Sequence, residues 1–316
     1  MADERVVVIA DPIDRAALDR LKGGPCRVVD ASADPKSLPG QLADAWAIIV
    51  RSRTKVTGEL LAHAPHLELV ARAGVGVDNV DLAATSKRGI RVVNAPAAAT
   101  QSVAELTVAF YLMLLRGLAP SIASMRAGKW ERGTHGRELA GKTVGFVGYG
   151  RIAREVTRRI EPFHASTVAF DPYVPSSGDA TVMTTLDDLL SRADIVSLHA
   201  ASTADTRHLI DVRAFERMKP GAFLVNVARG ALVDEAALLS ALASGRLAGA
   251  ALDVYEVEPP MNQTLLAHPN VIPTPHLGAS THEAQARAGT DTVDEVLRAL
   301  RGEPLTALVP APGGAG

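Results

Sequence analysis

Between positions 143 and 171 the chain reads TVGFVGYGRIAREVTRRIEPFHASTVAFD: an apolar run, a glycine turn, an amphipathic stretch at helical spacing, a second apolar run and a terminal acid. Strand, turn, helix and strand within about 30 residues commit the segment to a parallel βαβ unit. Gly148 permits the tight turn after the strand, Gly150 lets the backbone approach a pyrophosphate, and Ala153 fills the third small position, where helix meets strand. The helix then opens with Arg151 and Ile152, its N-terminus facing anionic phosphate. Asp171 stands 171 − 150 = 21 residues beyond Gly150, where a carboxylate accepts a ribose 2′-hydroxyl and repels a 2′-phosphate. The cofactor expected is NAD rather than NADP. A bare glycine pattern is a weak signal; the flanking strands, the helix and the spaced acid make it specific.

The 316 residues, 47% of them hydrophobic, are enough for two cores. A net charge of −2 offers no general attraction to nucleic acid. The single cysteine, Cys26, rules out an intrachain disulfide and fits a reducing compartment. The opening MADERVVVIADP has acids where a signal peptide needs a basic and then an apolar run, so a cytoplasmic protein is expected. The most apolar long stretch, 102–118, is interrupted by Glu105 and Arg116 and reads as a buried helix, not a membrane span. His63 and His66 have ligand-like spacing, but Pro65 breaks the helix that would align them and no third ligand lies nearby, so no metal is expected.

Short β-rich runs near 6–9, 27–29, 47–50, 67–71 and 91–93 alternate with helical patterns at 14–22, 58–62 and 81–87. The alternation resumes at 143–147, 167–171, 194–198, 222–226, 248–252 and 271–273, six strands suited to a doubly wound sheet. Helical periodicity also covers 122–127 and 281–301. The fold class is therefore α/β with two doubly wound domains. Residues 99–280 form a Rossmann domain, and 1–98 with 281–316 form a discontinuous second domain if the last helix packs back on the first lobe. Residues 311–316 are expected to be disordered.

The run Gly136 to Thr143 is a literal GxxxxGK[ST] match to the triphosphate-binding loop, but its context is inverted. Here the strand follows the motif instead of preceding it. The chemistry lies further on, in NVARGALVDE (226–235), ALDVYEVEPP (251–260) and PTPHLGASTHEAQ (273–285), each just after a strand. Ligands of doubly wound sheets collect at the carboxyl ends of strands, so Arg229, Glu258 and His276 are expected to converge beside a nicotinamide. Such a triple suits dehydrogenation of a 2-hydroxy acid. The planar guanidinium holds the carboxylate and polarises the adjacent oxygen; the imidazole takes the hydroxyl proton; the acid fixes the ring and favours the imidazolium.

With these residues in place, the chain resembles the D-isomer-specific 2-hydroxyacid dehydrogenase family almost end to end. The likeness extends through VRSRTKVT (50–57), RAGVGVDNVDL (72–82), SVAELT (102–107), GKWER (128–132) and PHLGASTHEAQ, and 258 − 229 = 29 is the family's arginine-to-glutamate separation. The resemblance implies that Arg229 binds substrate, Glu258 supports the histidine and His276 is the acid/base. It implies that Asp253 and the backbone at Val227, Ala228 and Ala279 hold the nicotinamide end, with Ala200 on the adenosine side. Val75 and Gly76 would offer N–H groups to the substrate carboxylate. It also implies a flavodoxin-like smaller domain that binds substrate, and a homodimer whose contact runs along helix 102–118 and through Trp130.

Within the family, a cation cluster after strands of the first domain (Arg51, Arg53, Lys55, Arg72), with Arg132, suits a phosphorylated substrate. D-3-phosphoglycerate, oxidised to 3-phosphohydroxypyruvate for serine biosynthesis, fits best. Glyoxylate and hydroxypyruvate reductases, the alternative, usually carry Gly-Ser-Ala-Thr where this chain has Gly278-Ala-Ser-Thr281. A more distant alternative is a corepressor of the same fold that senses NADH. The chain departs from the family at 199–203, where HAAST replaces a His-x-Pro-Leu run on the adenosine side. It also stops soon after Arg301, so feedback through a serine-binding C-terminal domain, as in long members, is not expected.

Overall fold

In the computed structural model, residues 4–132, 135–174, 181–183 and 185–311 are described. The expectation for 311–316 therefore falls, except for Ala311, outside the described residues. The chain divides into two compact units, Met1–Ala99 with Ala279–Gly316, and Thr100–Gly278.

The first unit is built on a parallel sheet of β1 (Val6–Ile9), β2 (Arg27–Asp30), β3 (Ala45–Val50), β4 (Leu69–Arg72) and β5 (Arg91–Val93), in the order β2-β1-β3-β4-β5. That is the flavodoxin-like order. All six residues of β3, AWAIIV, are buried, because both faces of the sheet are covered. Val8, Ile48, Val50 and Val70 meet Leu38, Leu42 and Leu61 on one face. Val7, Ile9, Ile49 and Ala71 meet Leu21, Val293, Val296 and Leu297 on the other. The last three belong to helix His282–Leu300, which starts where the Thr281 hydroxyl accepts the Ala284 N–H at 3.1 Å.

The second unit carries a seven-stranded parallel sheet: β6 (Thr143–Val147), β7 (Ser166–Phe170), β8 (Thr181–Val182), β9 (Ile195–Leu198), β10 (Ala222–Asn226), β11 (Leu247–Leu252) and β12 (Val271–Pro273). The order β12-β11-β10-β9-β6-β7-β8 is the Rossmann arrangement with one further strand at the β12 edge. The six strands read from the sequence are present, and β8 is an addition. Two residues long and partly exposed, it pairs with β7 and leaves no apolar run to read. The chain reverses its winding between β6 and β9, which opens a crevice at their carboxyl ends.

The apolar stretch at 102–118 forms helix Thr100–Arg116, with Val103, Ala104, Phe110, Tyr111, Leu114 and Leu115 buried. Gly117, at φ +56°, turns the chain into a second helix, Leu118–Arg126. Among the described residues no single helix is long and apolar enough to cross a membrane. The false phosphate loop at 136–143 runs through a turn into β6, with no helix at its end.

Candidate active site

The glycine loop lies at the switch point. Gly148 has φ +85°, and a Cβ there would stand 2.6 Å from the Ala200 nitrogen and 2.8 Å from its Cα. Glycine alone lets the ends of β6 and β9 meet this closely. Gly150 is the N-cap of helix Arg151–Ile160 and supplies no capping side chain; a Cβ on it would meet nothing within 4 Å. The first-turn N–H groups of this helix thus have no side-chain cap, and open space lies over them. Ala153 is fully buried beneath. Asp171 is fixed at the end of β7 by the Tyr149 N–H (2.8 Å) and the Tyr173 N–H (2.9 Å), one on each carboxylate oxygen, so both oxygens keep a lone pair for a hydroxyl. Glycine loop, uncapped helix start and spaced carboxylate together fit a dinucleotide's pyrophosphate and adenosine ribose.

Ala200 sits against Gly148, as its place after β9 requires, but His199 turns inward. Its ring is 5.5 Å from that of Phe146 and its Nε2 is 2.8 Å from the Ser197 hydroxyl. Burial pushes its pKa down to about 3, which keeps the imidazole neutral under physiological conditions.

The loops that carry Arg229, Glu258 and His276 follow β10, β11 and β12. Asn226, 1% exposed at the end of β10, staples the first: its Nδ2 donates to the Arg229 carbonyl at 2.9 Å and its Oδ1 accepts the Ala228 N–H at 3.1 Å. Beside Arg229, a Cβ on Gly230 would lie 1.8 Å from the carbonyl carbon of Tyr255. The Arg229 loop is therefore pressed directly onto the loop carrying Glu258. The Arg229 guanidinium donates through Nη1 to the Ala228 carbonyl at 2.7 Å.

Glu258 accepts the Tyr255 N–H on Oε1 (3.2 Å), and its Oε2 lies 2.8 Å from Nδ1 of His276. His276 is left with Nε2 for chemistry, and its side chain is 51% exposed. The residue has φ +53°, an uncommon conformation outside glycine, and the surrounding bonds enforce it. Asp253, 1% exposed, takes the Thr274 hydroxyl (2.6 Å), the Leu277 N–H (2.7 Å) and the Gly278 N–H (2.8 Å), gripping the chain on both sides of the histidine. Tyr255 adds a tie from the loop after β11, donating to the Thr274 carbonyl at 3.0 Å; burial raises its phenol to about 12. Thus Glu258 and His276 form a bonded pair, and Arg229 follows a loop in van der Waals contact with theirs. Asp253 is engaged with the histidine loop, and Val227 and Ala228 lie within the stapled turn after β10.

In the other unit the cations separate into two kinds. Arg53 is consumed by structure: it donates to Asp11 at 3.0 Å and to the carbonyls of Ala10 and Ser32, each at 2.8 Å. Burial alone would raise the Asp11 carboxyl, but bonds from the Thr54 hydroxyl, the Arg51 and Thr54 N–H groups and Arg53 outweigh it and hold the group below the ordinary carboxylate range. The Arg72 guanidinium covers Gly74, where a Cβ would fall 1.7 Å from Nη1. The Val75 carbonyl accepts from Asn94 Nδ2 at 2.6 Å, and among the described residues the N–H groups of Val75 and Gly76 have no backbone acceptor. Arg51 donates to the Pro12 carbonyl at 3.2 Å and to Gln285.

Sequence reasoning missed Asn226, Gly230, Tyr255, Asp11 and Gln285, which act on functional residues instead of carrying chemistry. Gly230 reads from the sequence only as a turn glycine. His208, which reads from sequence as solvated, is bound at 3.0 Å to Glu256.

Residues 108–278 match the family model described as D-isomer specific 2-hydroxyacid dehydrogenase, NAD binding domain. The chain belongs to the D-isomer-specific 2-hydroxyacid dehydrogenases. The cofactor of the second unit is accordingly NAD. D-3-phosphoglycerate dehydrogenase of Mycobacterium leprae is 45% identical across 99% of this chain and 60% of its own length. The Homo sapiens protein of that name is 41% identical across 98% and 59%. The chain thus spans about three-fifths of the length of these curated relatives. Among solved structures, the TT0316 protein from Thermus thermophilus superposes with TM-score 0.87 at 35% identity, covering 96% of this chain and 100% of that one. An NADPH-dependent glyoxylate/hydroxypyruvate reductase from Sinorhizobium meliloti gives 0.88 at 30% identity, covering 99% and 100%.

Proposed function

We propose that the chain catalyses NAD-dependent oxidation of D-3-phosphoglycerate to 3-phosphohydroxypyruvate, in the cytosol. The observation that carries this reading is the 2.8 Å His276–Glu258 pair, held on the loops beside that of Arg229 in an NAD-binding unit. NAD, when bound, supplies the hydride acceptor. Gly148, Gly150, Arg151, Ile152, Asp171 and Ala200 would hold its pyrophosphate and adenosine side; Val227, Ala228, Asp253 and Ala279 would hold the nicotinamide side.

His276 removes the 2-hydroxyl proton through Nε2, while Glu258 on Nδ1 fixes the ring and stabilises the imidazolium that forms. Arg229 binds the carboxylate and orients the C2–H bond, a task suited to a planar fork of donors. The N–H groups of Val75 and Gly76 take part of the carboxylate's charge, and Arg51 and Arg72 take that of the phosphate. The curated relatives named for this reaction support the substrate, as does the family likeness of Arg51 and Arg72.

A homodimer completes the proposal. Helix Leu118–Arg126 buries none of its residues, and Leu118, Ile122, Met125 and Trp130 (75% exposed) present an apolar surface that a second copy would cover.

The Sinorhizobium meliloti reductase favours a second reading, reduction of glyoxylate or hydroxypyruvate with NADPH. Asp171 opposes its cofactor, since a carboxylate at the ribose repels a 2′-phosphate. A steady-state panel with both cofactors separates the two. NAD reduction driven by D-3-phosphoglycerate is expected, together with a loss of NAD-over-NADP selectivity of at least about tenfold in Asp171→Ala. Turnover of glyoxylate or hydroxypyruvate alone would transfer the assignment to the reductases, and unchanged selectivity in the variant would remove Asp171 from the ribose.

A further inference from the structure

Arg51 is the best placed cation of its cluster, and its bonding has an unusual property. Among the described residues every acceptor around its guanidinium is neutral: the Pro12 carbonyl and the side-chain amide oxygen of Gln285. Two nearby carboxylates are turned to other donors. Asp11 takes the Arg51 backbone N–H at 2.7 Å, but its charge is matched by the Arg53 guanidinium at 3.0 Å. Asp14 uses its carboxylate to cap helix Arg15–Lys22 through the Ala16 and Ala17 N–H groups. Glu283 lines the same open hollow of about 510 Å³ and makes no ion pair with Arg51 among the described residues.

Gln285 is itself fixed, its Nε2 donating to the Ala279 carbonyl at 2.6 Å, so the oxygen presented to Arg51 cannot rotate away. If stability alone mattered, a carboxylate at 285 would hold a guanidinium more strongly than an amide. An amide holds the arginine in place and leaves its full positive charge available.

We propose that Gln285 is a specificity-determining positioning residue: a neutral clamp that orients Arg51 while keeping it unneutralised, and so selects 2-hydroxy acids bearing a second anionic group. This rests on the phosphoglycerate reading and adds the device that enforces it. The Arg53–Asp11 pair serves the same end by absorbing the charge of the buried carboxylate that takes the Arg51 N–H.

Gln285→Glu and Gln285→Leu separate charge from support. D-3-phosphoglycerate and D-glycerate are the probes, differing by the phosphate, with KM and kcat measured for each. Gln285→Glu places a counterion on Arg51 and is expected to raise KM for D-3-phosphoglycerate at least about tenfold, with kcat little changed and KM for D-glycerate within about twofold of wild type. Gln285→Leu, which removes the bonds to both Arg51 and Ala279 without adding charge, is expected to lose clearly less of the phosphorylated-over-unphosphorylated preference. Equal losses in both variants, or a Glu variant with the wild-type preference, would overturn the charge-selecting role while leaving the phosphoglycerate reading intact. A wild-type enzyme that does not prefer D-3-phosphoglycerate would instead remove that reading, and this inference with it.

Discussion

His276→Ala is expected to lower kcat by about 100- to 10,000-fold, the range for loss of a positioned general base, with NADH binding retained. The geometry gives the reason. The imidazole is fixed by Glu258 at 2.8 Å on one nitrogen, and the chain around it is clamped by Asp253 through Thr274, Leu277 and Gly278. Removing the ring leaves that scaffold standing. The variant therefore loses proton transfer without losing the fold or the glycine loop, which lies at the ends of β6 and β9. Steady-state rates with D-3-phosphoglycerate, alongside NADH fluorescence titration, check both halves. A variant retaining more than about a tenth of wild-type kcat would exclude His276 as the base.

Gly230→Ala is expected to be nearly as damaging by a different route. A methyl carbon at 230 would sit 1.8 Å from the Tyr255 carbonyl carbon, 1.9 Å from its oxygen and 2.4 Å from the Glu256 nitrogen. These are backbone atoms of the loop after β11 and cannot rotate aside as a side chain would. Two outcomes are open to the molecule: the loops separate, or the unit loses stability by more than about 3 kcal/mol, above the usual cost of overpacking. Either way the Arg229 loop shifts relative to the loop that carries Glu258. Thermal unfolding and kcat/KM should fall together. A variant with both wild-type melting temperature and wild-type kcat/KM would show that the two loops are not pressed together.

These two residues illustrate what a sequence exposes. His276, Glu258 and Arg229 are legible because their chemistry is strong and each follows a strand of a doubly wound sheet, where topology gathers ligands. The strands themselves are legible because both faces of each sheet are buried, so AWAIIV reads as one apolar run. Less visible are residues whose meaning lies in distant partners. Gly230 looks like any turn glycine until the Tyr255 backbone, 25 residues on (255 − 230), is seen against it. Arg53 looks equivalent to Arg51 from spacing alone. Its bond to the buried Asp11, 42 residues away in sequence, gives it the opposite role. His208 reads as solvated because its partner Glu256 lies 48 residues along the chain. The strand β8 escapes because two residues paired at a sheet edge carry no periodicity.

The central claim is that His276 and Glu258 act as one chemical unit. A double-mutant cycle tests it most directly, with kcat measured for wild type, His276→Ala, Glu258→Gln and the double variant under identical conditions. If the glutamate works through the imidazole, removing it after the ring is gone costs almost nothing, and the double variant is expected to fall within about threefold of His276→Ala alone. Losses that multiply, as for two independent sites, would contradict the pairing on which the proposed mechanism stands.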